Sequence, residues 1–277
     1  MRKPLFIIGA FRSGTTAIAN ILNLSENADV YVEHPPKLSL ESRLLYDGAL
    51  LQPLKVLKDN KEHWIRSGVE SGRVIGDKNA NYLPFIPYLK TAFDCRFLFI
   101  ARDGRSVVRS MMDWETVVPS NFYRRREDSA EYPDKSAEED YWDYSLIRPQ
   151  PGTETGQEWQ SMSHFEKLCW YWAAYNRLML EKLSLLEENE KYLCKMDQVN
   201  ADDILEMCEF FEIESIPKEV IQNALTSRIN TGESRGKISD PFPTWDGWSK
   251  EQQGQFRRIA GSQMVDLGYW PREYCNT

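Results

Sequence analysis

Histidine is scarce in this chain. Only His34, His63 and His164 occur among its 277 residues, which leaves few ways to build a histidine metal site or a serine-histidine-acid triad. Cys95, Cys169, Cys194, Cys208 and Cys275 are odd in number and widely spaced, with no CxxC pair. Neither a disulfide framework nor a zinc site is expected, and a reducing compartment is the natural setting. Long apolar runs are also missing: the amino-terminal run around Leu5 to Ile8 is too short for a signal peptide or a membrane helix. A soluble cytoplasmic protein without a membrane span is expected. Basic charge is in deficit, with 34 Lys and Arg against 42 Asp and Glu and a formal net charge of -8. General binding to nucleic acid or to an anionic membrane needs an accumulated positive field and is disfavoured. Any anionic ligand has to be caught by a local site.

Apolar runs of strand length alternate with helical spacing, the mark of βαβ units around a parallel sheet. The expected strands are Leu5 to Ile8, Val30 to Val32, Val74 to Gly76, Arg96 to Ala101 and Tyr192 to Lys195. Ala17, Ile18, Ile21 and Leu22 fall at helical spacing, as do Phe165, Leu168, Trp172, Tyr175, Met179, Leu183 and Leu186. Asn200-Ala201-Asp202-Asp203 and the capping-box pattern Ser249-Lys250-Glu251-Gln252 mark two further helix starts. One stretch breaks the pattern. From about Trp114 to Gln160 aliphatic residues are few and aromatic and acidic ones many. So long a connection reads either as a substrate lid or as a solvated charged loop, and its aromatic content favours the lid. The whole of 1–277 is expected to be a single domain that includes this insertion.

Gly9-Ala10-Phe11-Arg12-Ser13-Gly14-Thr15-Thr16 follows the first strand and opens the first helix. It keeps both glycines of the nucleotide-binding GxxxxGK[ST] loop at their spacing. Glycines let the backbone turn its N–H groups inward, and the helix start adds partial positive charge, so the loop suits a phosphate or sulfate. Thr15 stands where the lysine that reaches β- and γ-phosphates would be. Arg12 can supply positive charge in its place. A second basic motif follows the strand Arg96 to Ala101: Arg102-Asp103-Gly104-Arg105-Ser106-Val107-Val108-Arg109-Ser110. It puts Arg102 at a strand's carboxyl end, where the ligand crevice of an open α/β sheet lies, and Ser110 on the helix after it. Taken singly, Arg102 as a partner of Asp103 and Ser110 as an ordinary helix serine would serve as well.

Together the lysine-less loop and the Arg102 and Ser110 pair resemble the sulfotransferases that use 3′-phosphoadenosine 5′-phosphosulfate (PAPS), and more the carbohydrate, tyrosyl-protein and bacterial branch than the cytosolic steroid and phenol branch. The resemblance implies an α/β fold of three layers like that of the P-loop NTPases, with a central parallel sheet flanked by helices. It further implies PAPS as co-substrate, 3′-phosphoadenosine 5′-phosphate (PAP) as product, and no metal. Arg12, Ser13, Gly14, Thr15 and Thr16 would hold the 5′-phosphosulfate, and Arg102 and Ser110 the 3′-phosphate. Arg235-Gly236-Lys237 would close over that phosphate through Arg235 and Lys237. Gly76-Asp77-Lys78, Trp170 to Arg177, Lys195-Met196-Asp197 and Leu267-Gly268-Tyr269 also resemble family segments. Likeness is poorest from Trp114 to Gln160, where acceptor specificity is expected.

Sulfuryl transfer needs a base for the acceptor's proton and positive groups where charge grows. Glu33 and His34 follow the strand Val30 to Val32, and Glu33 matches the position of the catalytic glutamate in the related branch. Glu33 is favoured as base over a solvated loop acid, with His34 second. Lys78 is the candidate cation at the leaving oxygen, and its alternative is a surface ion pair. Arg124-Arg125-Arg126 either attracts an acidic acceptor or compensates the neighbouring acids. Two other functions stand beside this one: a P-loop kinase of small molecules, to which Thr15 is the main objection, and a nucleotide-binding protein of the same fold without turnover. The acid excess favours a neutral or cationic acceptor hydroxyl, on a small molecule or carbohydrate, over an anionic polymer. Nothing in the sequence fixes the oligomeric state.

Overall fold

The computed structural model describes residues 2–117, 146–150, 152–226, 238 and 240–276. Its strands are β1 Leu5–Gly9, β2 Ala28–Val32, β3 Val74–Lys78, β4 Arg96–Ala101 and β5 Lys191–Lys195. Its helices are α1 Thr15–Leu22, α2 Ser39–Tyr46, α3 Pro53–Glu70, α4 Ile86–Phe93, α5 Gly104–Val117, α6 Glu154–Glu158, α7 His164–Leu183, α8 Ala201–Phe210, α9 Lys218–Thr226 and α10 Lys250–Asp266. Short 3-10 helices cover Ala80–Phe85, Trp245–Gly247 and Arg272–Asn276. The chain divides into two compact units, Met1–Ala101 with Met179–Ile229, and Arg102–Leu178 with Asn230–Thr277.

The first unit holds the sheet. Its strand order is β2-β3-β1-β4-β5 and every pairing is parallel. Parallel strands are buried on both faces, which is why β1 and β4 read as unbroken apolar runs. Side chains alternate between the faces. Leu5, Ile7, Leu98, Ile100 and Cys194 share one face and pack with Ile18, Ile21 and Leu22 of α1 and with Ile204 and Met207 of α8. The opposite face carries the rings of Phe6, Phe97 and Phe99, with Tyr82 edge-on to Phe6 at 5.1 Å between centroids. There α3 lies so close to β3 that a Cβ on Gly68 would come within 2.5 Å of Ile75. Helices therefore flank the central parallel sheet, as expected for this α/β class. The expected starts at Asn200 and Ser249 are both capping boxes.

Strand β3 runs two residues beyond its apolar signal, because pairing continues to Lys78, which lies opposite Ile7 of β1 and Val32 of β2. Asp77 and Lys78 are thus polar residues inside a buried strand. The second unit has a more aromatic core. Phe165, Phe242, Trp245, Trp248, Phe256 and Trp270 form a chain of edge-on and tilted ring contacts. The indole of Trp172 closes over Gly104, where a Cβ would lie 2.8 Å from the ring.

Candidate active site

In the first unit, Gly9 ends β1 and the chain turns through Ala10 to Gly14 before α1 begins at Thr15. The turn is closed by the Ser13 N–H donating to the Ala10 carbonyl at 3.1 Å. Gly14 has φ 95°, and a Cβ there would lie 2.8 Å from Cγ and Sδ of Met196. A Cβ on Gly9 would lie 2.6 Å from the Ile100 carbonyl and 2.7 Å from Ser13 Oγ. Both glycines are therefore required by the turn's shape. Arg12 adopts φ 66° and its side chain is half-buried.

Helix α1 starts without a side-chain cap and without an acidic residue in its first turn. The amides of that turn have no partner within the helix and carry the positive end of its dipole. Ser13 is only 1% exposed, and its Oγ has no hydrogen-bond partner among the described residues. An unfilled hydroxyl and a set of amide donors, walled by backbone where a Cβ would otherwise sit, fit a phosphate or sulfonate group. Thr15 is buried and Thr16 half-buried at the start of the helix.

The carboxyl ends of β2 and β3 lie beside that of β1. Glu33 directly follows β2, and its N–H donates to the Lys78 carbonyl at 2.9 Å. Its carboxylate bridges two ammonium groups, with Oε1 3.0 Å from Lys78 Nζ and Oε2 3.3 Å from Lys37 Nζ. The Lys78 side chain is 8% exposed and that of Glu33 17%. The sequence-predicted Glu33 and Lys78 are thus brought together, and Lys37 joins them unforeseen.

Glu33 holds this place with φ 58°, a left-handed conformation that costs a non-glycine residue about 1 to 2 kcal/mol. Such a residue persists only where its surroundings over-determine it. His34 N–H donates to Asp77 Oδ1 at 2.9 Å, and Lys61 Nζ donates to the His34 carbonyl at 2.6 Å. Tyr82 OH donates to the other Asp77 oxygen at 2.6 Å. The Lys37 carbonyl accepts from Asn79 Nδ2 at 3.0 Å and Asn81 Nδ2 at 3.3 Å. Asp77, Lys61, Asn79, Asn81 and Tyr82 are all buried. Burial raises the Asp77 carboxyl to about 6, against the opposing pull of Lys61 and of its hydrogen bonds. Burial likewise lowers Lys61 to about 8, with Asp77 resisting. The His34 ring stacks on Trp64 at 4.3 Å and meets Tyr31 edge-on at 5.1 Å. Its pKa is held below the usual imidazole value by burial and then by the Lys61 charge.

Arg102 and Ser110 belong to the second unit. Arg102 directly follows β4, and its carbonyl accepts from Trp172 Nε1 at 3.0 Å. Asp103, the alternative partner weighed for Arg102, is engaged by Arg105, whose guanidinium and N–H both donate to it. Ser110 is half-buried on α5. Immediately before it Arg109 Nε donates to the Phe242 carbonyl at 2.8 Å, and about one turn after it Asp113 Oδ1 accepts the Phe242 N–H at 2.6 Å. Arg235 and Lys237 lie outside the described residues, as do Arg124 to Arg126 and most of the Trp114 to Gln160 insertion. Among the described residues, no cluster of His, Cys, Asp and Glu has the makings of a metal site, and no helix is long and apolar enough to cross a membrane.

No protein-family model and no curated protein sequence matches the chain. Solved structures do. Mouse sulfotransferase SULT7A1, solved in complex with PAP, superposes with a TM-score of 0.52 at 14% identity, over 97% of this chain and 88% of that one. A sulfotransferase from Alicyclobacillus acidocaldarius gives 0.49 at 14% identity, over 96% and 94% of the two chains. Sulfotransferase STF9 from Mycobacterium avium gives 0.49 at 12%, over 96% and 77%. The last two scores add no weight, and at such identity the likeness to the mouse protein concerns the fold. The chain has a sulfotransferase fold.

Proposed function

We propose that the chain transfers the sulfuryl group of PAPS to a hydroxyl of a small-molecule or carbohydrate acceptor, acting in the cytoplasm without a metal, with Glu33 as general base. The observation that carries this reading is the Glu33 and Lys78 ion pair, seated at the same end of the sheet as the uncapped anion loop. The fold shared with a PAP-bound sulfotransferase supports it, as does the orphaned Ser13 hydroxyl.

The chemistry is an in-line displacement: the acceptor oxygen bonds to sulfur while the bond from sulfur to the 5′-phosphate oxygen breaks, and the acceptor's proton passes to Glu33. Once Glu33 has taken that proton its charge is cancelled. Lys78 is then no longer neutralised by it, just as negative charge grows on the departing phosphate. Proton removal and charge stabilisation are coupled through one ion pair. Arg12, Ser13, Thr15, Thr16 and the amide at Gly14 are assigned to the 5′ end of the nucleotide. Arg102 and Ser110 are assigned to its 3′-phosphate on the sequence resemblance, as are Arg235 and Lys237. Glu33 is preferred to His34 because its carboxylate meets Lys78 and Lys37, whereas the imidazole lies stacked on Trp64 with its Nδ1 buried.

The test is Glu33→Gln, which keeps the shape and removes the base. Turnover is expected to fall roughly 100-fold or more, with PAP affinity nearly intact. Near-normal turnover would take Glu33 out of the mechanism.

A further inference from the structure

Asp77 and Lys61 are fully buried, oppositely charged and unused in the displacement described above. Lys61 lies on α3 between Leu57 and Ile65, one turn from each and buried with them. Asp77 lies on β3 beside Lys78. Both reach the backbone of His34, the residue after the base. The consequence follows from peptide geometry. Three successive peptide planes are held: the one entering Glu33 by its N–H on the Lys78 carbonyl, the one leaving it by His34 N–H on Asp77, and the next by the His34 carbonyl on Lys61. With the planes on either side of its Cα fixed, Glu33 cannot relax out of φ 58° without breaking a bond to a charged or buried group.

We propose that Asp77 and Lys61 are positioning residues for sulfuryl transfer, gripping the amide and the carbonyl of His34 so that the Glu33 carboxylate stays on Lys78. The assignment rests on Glu33 being the base. The grip is stiff because hydrogen bonds with an ionised partner are shorter and stronger than neutral ones. Tyr82 orients the Asp77 carboxylate from its other oxygen. Asn79 and Asn81 secure the far end of the same turn at Lys37. One strand and the residues after it thus supply both Lys78, which meets the base, and Asp77, Asn79 and Asn81, while Lys61 reaches in from α3. Asp77, Asn79 and Asn81 alternate along that segment, and the turn is gripped at each step.

Lys61→Met keeps the buried stem and deletes the charge, and Asp77→Asn keeps an acceptor for His34 N–H while Asp77→Ala removes it. Lys61→Met and Asp77→Ala are expected to lower kcat about 10- to 100-fold, the effect of a small misplacement of a reacting group, with KM for PAPS and PAP affinity within about twofold (kcat loss confined to geometry). Asp77→Asn is expected to recover most of that kcat. Should Lys61→Met fail to fold because Asp77 is left without its counter-charge, Lys61→Met with Asp77→Asn is measured instead, with the same loss of kcat expected. A crystal structure of the folded Lys61 variant gives a readout apart from activity: Glu33 is expected to leave its left-handed conformation and part from Lys78. Unchanged kcat, or Glu33 still left-handed and on Lys78 in that structure, would overturn the proposal. Absence of transfer by the unaltered protein would instead refute the assigned reaction, and the crystal structure would still decide whether the grip exists.

Discussion

Replacing Ser13 by alanine separates a ligand-binding hydroxyl from a structural one. The Ser13 Oγ is buried with no partner among the described residues, and a buried hydroxyl without a partner costs about 1 to 3 kcal/mol. Removing it relieves that cost and leaves a hole the size of one oxygen atom, so the free protein is expected to be as stable as before or more so. A gain of about 1 kcal/mol would raise Tm by roughly 2 to 4 °C for a chain of this size class. The bound protein responds in the opposite direction. A hydroxyl donating to an anionic oxygen contributes about 1.5 to 3 kcal/mol, so its loss is expected to weaken PAP binding roughly 10- to 150-fold. Thermal unfolding without nucleotide and calorimetric titration with PAP in the presence of EDTA give the two halves. A Tm lowered by several degrees together with an unchanged Kd would show that the hydroxyl serves the fold, and the reasoning about the loop would be wrong.

Arg102→Ala is expected to weaken PAP binding about 10- to 100-fold, the scale of a lost charge-assisted contact, while turnover at saturating PAPS falls much less; unchanged affinity would remove Arg102 from the nucleotide site. Asp77 sets a pH dependence of stability. Its pKa is raised from 3.8 to about 6 in the folded chain, so between those values the folded state holds a proton that the unfolded state has released. Its contribution is therefore most favourable below pH 4 and is lost as pH rises through 6, by about 3 kcal/mol in all. Urea unfolding of the natural chain and of Asp77→Asn from pH 4 to 7 is expected to show their stability difference moving against the natural chain by that amount, and a difference flat with pH would contradict the assignment. Gly14→Ala is expected to destabilise the fold by about 1 to 2 kcal/mol from its φ of 95° alone, measurable in the same unfolding series, where an unchanged midpoint would contradict it.

Much of the first unit was legible because burial on both sheet faces writes itself as apolar runs, as in β1 and β4. The spacing of Gly9 and Gly14 located the anion loop, and the structure shows why each position excludes a Cβ. Glu33 and Lys78 were found as separate residues at two strand ends, and only the register that sets Val32 opposite Lys78 joins them into a pair. Lys37 escaped notice behind Pro35 and Pro36. Lys61 escaped, and Asp77, Asn79 and Asn81 stood out only as part of the segment around Lys78, for a different reason: hydropathy assigns charged and amide side chains to the surface, whereas here each is buried with a backbone partner. A faint signal did exist, since Lys61 interrupts the stripe of Leu57 and Ile65 at one-turn spacing. Such an interruption tells that a buried charge is present but not what it holds, which depends on contacts 27 residues away in the chain.

Calorimetric titration of the purified protein with PAP in EDTA, beside a titration with magnesium ATP, bears on the proposed activity most directly. One-to-one binding of PAP without metal is expected, with magnesium ATP binding far more weakly because Thr15 replaces the lysine that would reach its outer phosphates. Tight binding of magnesium ATP with none of PAP would contradict a PAPS-dependent transferase and point to phosphoryl transfer instead.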